Sequence, residues 1–85
     1  MTPDFAVLHR RAVARLSSQA KRRTSERDLS NATVSIVLIG APGADIACVP
    51  DFVFKTVIPF LARCGIKISP VNLQAFAESM VAPSQ

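Results

Sequence analysis

The chain has 85 residues, a formal net charge of +4, 49% apolar residues, no Trp or Tyr, and two cysteines. That length predicts one domain burying about 60–65% of its unfolded surface. The longest apolar stretch, residues 32–49, is interrupted by Gly40, Pro42, Gly43 and Asp45, which excludes a membrane span of the ordinary kind.

The charge is unevenly placed. Residues 1–31 carry Arg10, Arg11, Arg15, Lys21, Arg22, Arg23 and Arg27 against Asp4, Glu26 and Asp28, a net of +4. Residues 32–85 balance Lys55, Arg63 and Lys67 against Asp45, Asp51 and Glu78, and 31 of those 54 residues are apolar. The organisation expected is a basic helical arm with a polar linker over 1–31 and an apolar α+β body over 32–85.

Thr2, Pro3 and Asp4 open a helix as cap, first-turn proline and acid at the positive dipole end. It is expected to run from about residue 3 to about residue 23. Phe5, Leu8, Ala12, Leu16 and Ala20 form one narrow apolar stripe, with Arg10, Arg11, Lys21 and Arg22 opposite. Residues 24–31 read as a polar boundary in which Ser25 and Asp28 start one short helical turn. Residues 32–39 read as a central strand, because Val34, Ile36, Val37, Leu38 and Ile39 form a nearly continuous apolar run. Gly40 and Gly43 then bound a loop, and residues 46–49 read as a second short strand.

Pro50 and Asp51 open the next helix. Its apolar face holds Val53, Phe54, Val57, Ile58, Phe60, Leu61 and Cys64, which marks it as central, with a kink at Pro59 and a stop at Gly65. Residues 66–68 are a short strand or a linker. Ser69 and Pro70 begin the last helix, whose stripe is Leu73, Phe76, Ala77, Met80 and Val81, and Pro83 ends it. The fold class expected is α+β: a basic amphipathic helix, one central strand, and two further helices packed on it. Pairing the strand with its copy across a two-fold axis, through Val34, Ile36 and Leu38, completes the sheet. An all-helical packing with one extended segment is the alternative.

No residue is assigned to catalysis, metal binding or a cofactor. Gly40 and Gly43 after an apolar run lack the Gly-Lys-Ser/Thr of a phosphate loop and read as a turn. His9 is the one histidine and reads as packing or solvated. Asp45 and Asp51 read as turn and cap residues. Cys48 and Cys64 fit no zinc or CxxC spacing and read as buried, reduced thiols. A glycine at 65 with Val71 six residues on has helix-turn-helix spacing, but Leu61 stands where a small residue belongs and the following helix has no Arg or Lys. The expectation is therefore a small non-enzymatic binding or regulatory protein of the cytoplasm, a homodimer. Arg10, Arg11, Arg15, Lys21 and Arg22 are its candidate partner-binding residues. An acidic protein surface is the partner they suit, with no membrane or small-molecule substrate involved. Nucleic acid is the alternative partner, read through phosphates because no aromatic residue interleaves with the arginines. Residues 5–24 also resemble an organellar presequence, a reading opposed by Asp4 and by the capped turn that follows.

Overall fold

Four segments of this chain become helices in the computed structural model, which describes residues 4–83. They are α1 (Phe5–Gln19), α2 (Glu26–Gly40), α3 (Asp51–Arg63) and α4 (Leu73–Val81). Two 3-10 turns, Ile46–Cys48 and Pro70–Asn72, lie in the connections. There is no strand among the described residues, and the protein is all-helical rather than α+β.

The correction centres on α2. Its N-cap is Ser25, whose hydroxyl accepts the Asp28 N–H at 3.1 Å, with Glu26 and Asp28 in the first turn where acids favour the dipole. The turn expected there does not stop; it continues through residues 32–39 to Gly40, crossing the boundary expected at residue 31. Ala32, Thr33, Ile36, Val37, Ile39 and Gly40 are buried, while Asn31 and Leu38 are exposed. Those buried positions recur at three- and four-residue steps, the period of a helix buried over a broad face. A short apolar run cannot be assigned by its length alone, and here tertiary packing overrides the β-branched content. The second expected strand, residues 46–49, is also corrected. Asp45 accepts the Ala47 N–H at 3.0 Å and caps a 3-10 turn instead.

The other ends follow local chemistry. Asp4 is itself the N-cap of α1 and accepts from the Val7 N–H at 2.9 Å; Thr2 and Pro3, expected to start the helix, lie outside the described residues. Helix α1 stops at Gln19, four residues short of expectation, because Ala20 turns extended. The Lys21 N–H then donates to the Cys64 carbonyl at 2.8 Å rather than continuing the helix. Gly65 takes φ +86, with the Ile66 N–H on Leu61 O at 2.8 Å and the Gly65 N–H on Ala62 O at 3.0 Å. These are the paired bonds of a left-handed glycine cap. Pro59 stands on the solvent side of α3, where water reaches the Lys55 carbonyl that the proline leaves free.

Helices α1, α2 and α4 pack on one another, and α3 closes over α2. The core contains Leu8, Ala12 and Leu16 of α1, Ile36, Val37 and Ile39 of α2, Val57, Phe60 and Leu61 of α3, and Leu73, Ala77 and Met80 of α4. Burying a side chain the size of Ile36 or Leu61 stabilises by about 1.5–3 kcal/mol. Helices α2 and α4 approach closely at Gly40: a Cβ built there would lie 2.4 Å from the Ala77 backbone carbon. The radius of gyration, 11.8 Å, matches the value of about 12 Å for a compact chain of this length. No helix among the described residues is long and apolar enough to cross a membrane.

Candidate functional site

The basic residues singled out from the sequence fall into two groups, Arg10, Arg11 and Arg15 along α1 and Lys21 and Arg22 beyond its end. Arg11 and Arg15 face α4. Arg11 Nη1 donates to Val81 O at 3.1 Å, and Arg15 Nη1 donates to Ser79 O at 2.8 Å. Both acceptors belong to the last turn of α4, where helix carbonyls lack intrahelical partners and the dipole favours cations. These two arginines cap a helix while staying half-exposed.

Arg10 is exposed next to them: it lines one surface depression with Val7, Arg11, Ala14 and Arg15, and borders another lined by Phe5, His9, Val13, Ser30 and Val34. Lys21 and Arg22 lie beyond the end of α1, with Arg23 next in chain, all exposed. Together with Ser17, Thr24 and Leu29 they line a recess in the α1–α2 connection.

The three interface candidates also separate. Ile36 is 0% exposed and belongs to the core, so it is corrected out of any contact surface. Val34 and Leu38, four residues apart on α2, share an outer face on which Leu38 is 49% exposed. The sequence reading missed two parts of this face. Phe5, assigned to the inward stripe, is 47% exposed, and it lines both the depression beside Arg10 and a second one with Leu38, Ala41, Pro42 and Ala44. Leu38 in turn lines a third depression with Ala44, Asp45, Cys48 and Val49. The result is an apolar strip from Phe5 across Leu38 to Val49, with a cation at one end and a carboxylate at the other.

His9 ties α1 to α2. The Thr33 hydroxyl lies 2.8 Å from Ser30 O and 2.9 Å from Leu29 O, either of which can accept its single proton. With the hydroxyl proton on a carbonyl, the Thr33 oxygen is the acceptor for an Nε2–H of His9, 2.9 Å away. The imidazole stacks on Phe5 with centroids 5.9 Å apart.

The thiols differ. Cys64 is buried as expected, and burial pushes its pKa up from the ordinary 9.0, against a smaller lowering by Arg63. Cys48, expected to be buried, is exposed, with its Sγ 3.5 Å from Asp45 Oδ2. Both are free. Among the described residues no three His, Cys, Asp or Glu side chains gather as a metal site. Gly40, read as the start of a loop, is the last residue of α2 and sits against α4. The helix-turn-helix spacing around Gly65 does not produce that motif. Helix α4 begins only at Leu73, and Val71, which would be the inner apolar position, is 90% exposed.

Comparison with protein-family models, with curated proteins and with solved structures gave no match.

Proposed function

We propose that this chain is a small binding protein that works as a homodimer, two copies meeting through the Phe5–Leu38–Val49 strip. The observation that carries this reading is the strip's polarity. Arg10 stands beside its Phe5 end and Asp45 beside its Val49 end, with exposed apolar side chains between them. A two-fold axis through the middle of such a strip sets the Arg10 end of one copy against the Asp45 end of the other. The surface is then complementary to itself, as a closed two-fold contact requires. A standard interface covers about 800 Å² per partner, about one-seventh of the 5580 Å² accessible surface of this chain. Contact through Val34 and Leu38 is retained from the sequence reading, now between helices rather than strand edges.

Sedimentation of the wild-type chain tests the reading. A dimer at micromolar concentration is expected, with Leu38→Asp and Phe5→Asp monomeric and as helical as the wild type by far-UV circular dichroism. The axis has its own test: Arg10→Asp and Asp45→Arg each weaken the dimer, and the double exchange restores it. A wild-type chain that stays monomeric at 100-fold higher concentration would sink the proposal.

A further inference from the structure

Six of the ten basic residues lie in or beside two connections that meet in the fold, although the sequence divides them between two regions. Lys21, Arg22, Arg23 and Arg27 occupy the α1–α2 connection and the first turn of α2. Arg63 and Lys67 flank the α3–α4 connection. The two connections lie side by side. The Lys21 N–H donates to Cys64 O at 2.8 Å, and the Lys21 side chain lies across Gly65, where an added Cβ would stand 3.0 Å from the Lys21 Cβ. All six basic residues are exposed.

Helix dipoles account for part of this arrangement, because Lys21 follows the negative end of α1 and Arg63 is the last residue of α3, where it also lies over the Phe60 ring at 5.7 Å. They do not account for Arg22, Arg23, Arg27 and Lys67. Those four approach the positive end of α2 or lie outside any helix, and no described carboxylate pairs with them. The only acids in the two connections and the first turn of α2 are Glu26 and Asp28. Beside Lys21, Arg22 and Arg23 the recess adds the hydroxyls of Ser17 and Thr24, donors that fit a phosphate oxygen.

We infer that the two connections form a binding surface for the phosphate backbone of duplex nucleic acid. Exposed guanidinium groups match phosphate in a bidentate fork, and four of the six cations are arginines. The cluster contains no aromatic side chain for stacking on unpaired bases, so the surface follows the backbone without reading sequence. Its position differs from that expected from the sequence. The guanidinium groups of Arg11 and Arg15 are engaged by carbonyls of α4, and the inferred interface is the pair of connections at the far end of α1.

Fluorescence anisotropy with a 20-base-pair duplex of arbitrary sequence tests the inference on the full chain. Neutralising four phosphates gives a slope of about −3.6 in log affinity against log salt, a loss of about 150-fold between 50 and 200 mM. Arg22→Glu with Arg23→Glu is expected to weaken binding more than 100-fold at 50 mM salt. Lys55→Glu, on exposed α3 surface, changes it less than threefold, and all variants keep the wild-type circular dichroism. Binding that is unmoved by the Arg22 and Arg23 reversals overturns the inference. So does capture of polyglutamate as tightly as duplex, which would assign the surface to an acidic protein partner.

Discussion

The α1–α4 seam and the α1–α2 junction are both arginine-rich, and the same side chain has opposite fates in them. At the seam, Arg11 and Arg15 each meet an open carbonyl of the last turn of α4 and become part of the scaffold. At the junction, Arg22, Arg23 and Arg27 meet no described carboxylate and remain at the surface. Counting basic residues therefore overstates the charge available to a partner. What decides is whether a helix C-terminus lies within reach of the guanidinium.

The largest effect that can break this contrast is at the two glycines that set the regions. Gly40→Ala puts a Cβ 2.4 Å from the Ala77 backbone and forces α4 away from α2. Chemical denaturation should show a loss of about 3 kcal/mol, at the upper end for overpacking. Gly65→Ala, at the junction, needs an L-residue at φ +86 and brings the new Cβ to 3.0 Å from the Lys21 Cβ, a milder approach than that at Gly40. The expected loss there is smaller, about 1–2 kcal/mol. An equal or reversed order would mean that the seam is not the tighter of the two regions.

Neutralising the arginines sharpens the comparison directly. Arg11→Gln and Arg15→Gln remove charged donors from helix-end carbonyls and should each lower stability by about 1 kcal/mol in urea melts. Arg22→Gln and Arg23→Gln, which touch no described acceptor, should stay within about 0.5 kcal/mol of wild type. If all four behave alike, the division into scaffold and surface arginines fails.

The smallest effect concerns Cys64, whose carbonyl joins the junction. Its thiol ionises less readily in the folded chain than its ordinary 9.0, through burial. The unfolded chain therefore loses this proton first as pH rises. The stability that the neutral thiol confers is complete below about pH 9 and declines above it. Cys64→Ala should flatten that alkaline decline in melts between pH 8 and 10.5. An unchanged slope would show that the thiol contributes nothing to it.

Much of the helical frame was legible. Leu8, Ala12 and Leu16 were buried as their spacing required, and so were Val57, Phe60 and Leu61, then Leu73, Ala77, Met80 and Val81. Gly65 was a recognisable stop because a left-handed cap needs no distant partner. Helix α2 was not legible, because residues 36–39 are apolar on every side of the chain. Such a run suits a buried strand and a buried helix equally until neighbours are known. The Ser25 cap pointed to a helix, and the β-branched residues outweighed it in the reading. The division of the arginines was beyond sequence, since Arg11 and Arg15 find acceptors 70 and 64 residues away. Phe5 had the right period for burial, but at the first position of α1 it lies at the margin of the bundle.

The contact between Gly40 and Ala77 also limits how the bundle can assemble. Sliding α4 along α2 by one turn, about 5.4 Å, would bring Leu73 or Val81 to the crossing in place of Ala77. Neither side chain fits where the two backbones nearly touch. The register with the small alanine at the crossing is therefore favoured, and it is the one that sets Ser79 O and Val81 O opposite Arg15 and Arg11. A missing side chain on α2 thus selects which carbonyls the arginines of α1 meet.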